Sequence, residues 1–199
     1  EVERFADVEP WPTEAPTVFF LGRHEERKGL DVLLEALPAL PPDIRVWIGS
    51  DGPDTERLKL RHAGDPRLEW LGRLSDLEKR RRLAAARIFC APSIHGESFG
   101  VVLLEAMAAG AAIVASNLSG YSLVARADRD ALLVVLGLAD ALARSFVAGD
   151  FGCRFALGLA GGLAGGLARA ELGCWLGLGH GHFSRSIFSC IGRATWLTK

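Results

Sequence analysis

The chain has 199 residues, nearly half of them apolar (49%), with 23 Lys plus Arg against 24 Asp plus Glu and a formal net charge of −1. That length supports one good-sized domain or one lobe of a larger enzyme, and the balanced charge excludes a field suited to nucleic acid. The four cysteines lack metal-ligand spacing, the acidic opening EVERFADVEPWP is no signal peptide, and the apolar runs of the tail fall short of the ~20 residues of a membrane helix. A soluble cytoplasmic lobe is therefore expected. Because the opening lacks a methionine, it is expected to begin inside a larger protein.

In chain order, TVFFLG (Thr17–Gly22) reads as a buried strand. Leu30, Leu33, Leu34 and Leu37 follow at helical spacing, and Pro38 ends that helix. IRVWIGS is the next strand, closed by the turn Asp51-Gly52-Pro53. A charged helix near Thr55–His62 leads to the strand RLEWLG, and a second charged helix covers roughly Asp76–Ala86. RIFCAP, the helix in HGESFGVVLLEAMAAG and the strand AAIVAS complete the pattern. Short apolar strands alternating with helices predict an α/β fold, a Rossmann-like parallel sheet with helices on both faces.

The stretch His95–Gly110 carries the chemistry. Its helix, from about Phe99, is apolar nearly all round and is expected to be buried. A carboxylate inside it, Glu105, then requires hydrogen-bond donors, and sugar hydroxyls are suitable ones. The helix entrance offers backbone N–H groups and a positive dipole end to a diphosphate, while Gly96 and Gly100 let backbone approach a ligand. About 9 Å of helix separates that entrance from Glu105, a span that suits a nucleotide-sugar. Glu97 in the turn would meet the sugar and Glu105 the ribose. Viewed alone, Glu105 is equally consistent with a core carboxylate paired to an arginine, and Glu97 with a plain helix-entry residue. After the first strand, GRHEERKGL places Arg23 and Lys28 at the C-terminal edge of the sheet, where a planar fork and a mobile point charge suit a departing diphosphate. The competing reading is a solvated charged loop, which Glu25, Glu26 and Arg27 are expected to be.

GRHEERKGLDVLLEAL, IGSDGP, EWLGRLSD and APSIHGESFGVVLLEAMAAGAAIVAS stand in this order from about Pro16 to Val134. Together they resemble the C-terminal lobe of retaining family-4 glycosyltransferases of GT-B architecture, most of all the phosphatidylinositol mannosyltransferases of actinobacteria. The resemblance implies that Arg23 and Lys28 hold the nucleotide diphosphate and stabilise its departure, and that Glu97 contacts the donor sugar. It implies that Glu105 binds the ribose and that backbone N–H groups at Ser98, Phe99 and Gly100 face sugar and phosphates. The base would lie against the loop Gly72–Asp76, with Leu74, Asp76 and Lys79 as contacts, although Lys79–Arg82 also reads as a solvated face. No metal and no other cofactor are implied; the donor is a nucleotide-sugar, GDP-mannose by the nearest resemblance. In the family, transfer proceeds with retention and the glutamates bind rather than attack the sugar. A location peripheral to the inner face of the plasma membrane goes with the full-length enzyme.

The family carries an N-terminal acceptor lobe ahead of this region, and with it the lipid or glycan acceptor site. Without that lobe the chain is expected to be inactive on its own. Residues 1–16 read as a segment from the inter-lobe region, 17–134 as the nucleotide-sugar-binding lobe and 135–199 as an aberrant Gly-rich tail. A shift of the coding frame around Val135–Phe155 would explain that tail. His180, His182, Cys153, Cys174 and Cys190 form no metal set by spacing. The alternative function is a non-catalytic nucleotide-sugar-binding module. A dinucleotide-binding oxidoreductase lacks its Gly-x-Gly-x-x-Gly after the first strand.

Overall fold

The structure, a computed structural model, describes residues 3–6, 8–135 and 137–147. Expectations placed on 148–199, including the greater part of the aberrant tail, the two histidines of GHGH and three of the cysteines, lie outside the described residues, and so does the second half of the Val135–Phe155 stretch expected to hold the frame shift.

The elements in order are α1 (Glu3–Ala6), β1 (Thr17–Leu21), α2 (Leu30–Ala36), β2 (Arg45–Gly49), α3 (Thr55–Arg61), β3 (Leu68–Gly72) and α4 (Asp76–Ala85). Then come β4 (Ile88–Ala91), α5 (Val101–Ala108), β5 (Ala112–Ser116), α6 (Ser119–Ser122), β6 (Leu132–Val134) and α7 (Leu138–Val147). Six strands form one parallel sheet in the order β3-β2-β1-β4-β5-β6. Strand order reverses between β1 and β4, so the helices that follow those two strands, α2 and α5, lie on opposite faces and leave a crevice at the sheet's C-terminal edge.

Alternation along each strand divides the core in two. Val18, Phe20, Val46, Ile48, Ile88, Cys90 and Val114 face the layer of α2, α3 and α7. Phe19, Trp47, Phe89, Ala91, Ile113 and Ala115 face the layer of α4, α5 and α6. Phe19 pairs with Trp47 on one side and Phe89 on the other, and its ring meets both edge-on at about 6 Å. That is a favoured aromatic geometry. The spacing Leu30, Leu33, Leu34, Leu37 does form one buried stripe, and Pro38 sits in a 3-10 turn that ends the helix. At the start of α4, Ser75 accepts the backbone N–H of Glu78, the N-cap half of a capping box.

Three expectations need correction. α5 is not buried all round: Leu103 and Ala106 are buried, but Val101 is 59% and Leu104 39% exposed. A helix lying on one face of a sheet turns only one stripe inward, and an apolar residue on the outer stripe looks the same in sequence as one on the inner. The run Lys79–Arg82 is not a solvated face. Arg82 is buried between the rings of Trp11 and Trp47, 4.2 and 4.7 Å from their centroids, and bonds Glu78. Arg80 and Arg81 donate to the carbonyls of Arg4 and Glu9, tying the N-terminal segment across α4. Finally, the packed lobe runs past Val134, where the sequence ended it. The sixth strand, β6, ends on Val134 itself, and beyond it Leu138, Ala141 and Leu142 of α7 are buried in the core. Among the described residues no helix is long and apolar enough to cross a membrane.

Candidate functional site

The two loops that leave β1 and β4 meet at the crevice. Gly29, at φ +68, closes the first loop; a Cβ there would lie 2.0 Å from the carbonyl oxygen of Pro92 in the second. This close approach lets Lys28 reach across to Glu97, Nζ to Oε1 at 2.5 Å. Ser93 also donates to that oxygen, at 2.9 Å. Glu97 Oε2 makes no hydrogen bond among the described residues. Burial pushes the Glu97 carboxyl upward, but hydrogen bonds from Lys28 and Ser93 and the charges of Lys28 and Arg27 outweigh it and hold the group below the ordinary carboxylate range. It is a carboxylate at neutral pH.

Arg27 is not the freely solvated residue the sequence implied. It bonds Glu25 at 2.7 Å and donates to the carbonyl of Gly96, stitching the same two loops together. Gly100 follows at φ +74 as the N-cap of α5, and no side chain caps that helix, so its first N–H groups are left for another acceptor. Ser98 and Phe99 are exposed beside it and Gly100 is buried.

Further along α5, Glu105 is partly exposed and pairs with Lys79 at 2.6 Å. Its partner is therefore no internal arginine but a lysine that was itself a candidate for nucleotide contact. Lys79 also lines a cleft of about 1030 Å³, together with Arg23, Leu74, Trp70 and Arg73. So the structure brings Lys28 to Glu97, Lys79 to Glu105, and Arg23 and Leu74 to one cleft wall. Two residues stand apart. The Arg23 side chain is 68% exposed and its ion pair is with Glu25 at 3.6 Å, not with the His95–Gly100 turn. Asp76 does not line the cleft; it pairs with Arg4, Lys79 and Arg80 at 3.2–3.5 Å.

The turn after β2 forms the cleft's far side. Ser50 adopts φ +82, a left-handed conformation uncommon outside glycine, as IGSDGP folds back. His24, buried, holds that turn: Nε2 donates to the Gly49 carbonyl (3.3 Å) and Nδ1 accepts from Thr55 (2.8 Å), whose hydroxyl takes the Gly52 N–H. This pattern fits the neutral ring. Desolvation lowers the His24 pKa below its ordinary 6.5, outweighing the carbonyl of Gly49 and the charge of Asp51, which act the other way. The folded protein then binds that proton less readily than the unfolded chain. The His24 contribution to stability is fully present above about pH 6.5 and is lost progressively below it. The melting temperature should fall between pH 7 and pH 5 in the parent and stay flatter in His24→Asn. A parallel decline in the two would remove this role. Glu97, with its lowered pKa, weakens the fold only below about pH 4.5.

Sequence reasoning missed Ser93, Tyr121, Gly29 and Gly120. Only the Lys-Gly-Leu step after the charged loop hinted at the first glycine; Tyr121 and Gly120 depend on contacts distant along the chain, and Ser93, four residues from Glu97, depends on how the loop between them folds.

A family profile described as glycosyl transferases group 1 matches residues 15–148. The phosphatidyl-myo-inositol mannosyltransferase of Mycolicibacterium smegmatis is 43% identical over 157 residues, 74% of this chain and 40% of that protein. The same-named protein of Mycobacterium leprae is 42% identical over 143 residues, covering 69% and 38%. The chain thus spans about two fifths of the length of these relatives. Among solved structures, Anabaena Alr3699/HepE in complex with UDP-glucose superposes with a TM-score of 0.64 at 21% identity, over 72% of this chain and 42% of that one. Sheet order, loop sequences and profile agree: the chain belongs to the group 1 (family 4) glycosyltransferases of GT-B architecture.

Proposed function

We propose that this lobe binds the donor in a retaining hexosyl transfer, with mannose from GDP-mannose as the sugar and a phosphatidylinositol-type lipid or a glycan as acceptor. The reading of the sugar rests on relatives named phosphatidyl-myo-inositol mannosyltransferases; a neighbour of the same fold is described with UDP-glucose. Acceptor contacts would come from a further lobe, and the transfer would need it.

One observation carries the proposal most: the Lys28–Glu97 pair spans the β1/β4 switch point directly before the entrance of α5. Lys28 and the α5 N–H groups face developing negative charge on the departing diphosphate, and Arg23 swings in from the cleft wall to join them. The bond from the anomeric carbon to the diphosphate oxygen breaks, that oxygen keeps the electron pair, and the acceptor hydroxyl adds on the same face while its proton passes to the departing diphosphate oxygen. Glu97 Oε2 takes sugar hydroxyls as an acceptor. Glu105, paired with Lys79, takes the ribose hydroxyls, while Leu74 and Lys79 flank the base. Asp76 contributes through Lys79, which it pairs. No metal is required by this set of groups.

Calorimetry tests the ribose role. Glu105→Gln should weaken GDP by about tenfold, the range for a charged hydrogen bond, and leave inorganic diphosphate unaffected. Undiminished GDP binding by that variant would rule the role out. A thermal-shift comparison of GDP, UDP, ADP and NAD ranks the base; stabilisation by NAD alone would overturn the donor reading.

A further inference from the structure

We propose that Ser93 and Tyr121 are positioning residues that hold the Glu97 carboxylate in a single orientation, with α6 as their support. The inference rests on the donor-site reading above and deepens it. Ser93 Oγ lies 2.9 Å from Glu97 Oε1 and 2.9 Å from the Tyr121 hydroxyl. Both residues are buried. Serine has one proton and the ionised carboxylate can only accept, so Ser93 donates to Glu97 and must itself accept from Tyr121. Burial pushes the Tyr121 hydroxyl up to about 12, so it remains a donor across the working pH range. The relay runs one way, from phenol to serine to carboxylate.

Its effect is geometric. Glu97 Oε1 is held twice, by Lys28 and by Ser93, which leaves Oε2 pointing in one fixed direction. The backbone is gripped as well. A Cβ on Gly120 of α6 would meet the Glu97 carbonyl oxygen at 2.0 Å, and one on Gly100 would meet the Tyr121 ring at 2.7 Å. One short helix therefore bears on both ends of the turn that carries Glu97. A carboxylate that orients sugar hydroxyls loses its selectivity if it can rotate, because preorganised acceptors depend on locked rotamers. Tyr121 acts on the sugar through the Glu97 carboxylate that it helps to hold.

The test uses the full chain and the variants Ser93→Ala and Tyr121→Phe. Carbon-13 NMR of the Glu97 carboxyl is followed against pH, and calorimetry compares GDP-mannose with GDP. Expected are a higher Glu97 titration midpoint in both variants, larger in Ser93→Ala, and a roughly tenfold loss of the preference for GDP-mannose over GDP. GDP alone should bind as in the parent. A Glu97 midpoint unmoved in both variants overturns the relay, as does a moved midpoint with the parent's sugar preference intact. Should the parent itself show no sugar preference, the donor reading fails, while the titration still decides whether Ser93 and Tyr121 hold Glu97.

Discussion

Lys28→Met is expected to lower affinity for a nucleoside diphosphate sugar by about a hundredfold, the upper range for loss of a charge-assisted hydrogen bond. It should also destabilise the fold. The Glu97 side chain is only 9% exposed, and without Lys28 it keeps a serine and a more distant Arg27 at 4.0 Å. Removing one partner of such a pair strands the other, at a cost of about 2–3 kcal/mol. Two effects of one substitution can be separated by a second. Glu97→Gln added to Lys28→Met removes the stranded charge and should recover most of the stability. It should not recover binding. Chemical denaturation and calorimetry on the single and double variants read the two quantities independently. If the double variant regained affinity, Lys28 would matter to the site only as Glu97's counter-ion.

Gly29→Ala should be costly for a different reason. At φ +68 an alanine is strained by roughly 1–2 kcal/mol. Its Cβ would also lie 2.0 Å from the Pro92 carbonyl oxygen, and that atom belongs to backbone leaving the central strand β4. Relief requires the two loops to part, which adds a cost of about 1–3 kcal/mol of the kind seen on overpacking. Together roughly 3 kcal/mol should be lost, and Lys28, the next residue, would be drawn from Glu97. A thermal melt should show a drop of several degrees, with nucleotide affinity falling alongside. A melt within one degree of the parent would mean that the loops do not touch as described.

Much of this fold is readable because each strand is a short run of apolar residues between turn signals, and the helices between them repeat at helical spacing. TVFFL, RVWIG, IFCA and AIVAS are buried on both sides, so no alternation had to be resolved to find them. β6 escaped because its three residues, LLV, run straight on into Val135 and Leu136, and a single glycine, Gly137, is all that parts this apolar run from that of α7. The outer face of α5 misled for the reason already given: Val101 and Leu104 are apolar whether covered or not. Lys28 and Glu97 were nominated by motif and by the logic of the sheet edge, but their pairing was not. They lie 69 residues apart, and the contact depends on Gly29 admitting Pro92. Ser93 and Tyr121 carried no signal at all, since a buried hydroxyl pair is defined by what surrounds it. Arg82 was misplaced because a run of four basic residues looks like a wet face until two tryptophans from elsewhere enclose one of them.

The central claim is that the Lys28–Glu97 pair and the amino end of α5 form the seat of a nucleotide-sugar's diphosphate. Titration of GDP-mannose into the full chain, beside Lys28→Met/Glu97→Gln, tests it most directly. The account predicts saturable one-to-one binding by the parent and a loss of about a hundredfold in the double variant, which keeps most of the parent's stability. Equal affinity in the two proteins would contradict it, as would a folded parent that binds no nucleoside diphosphate.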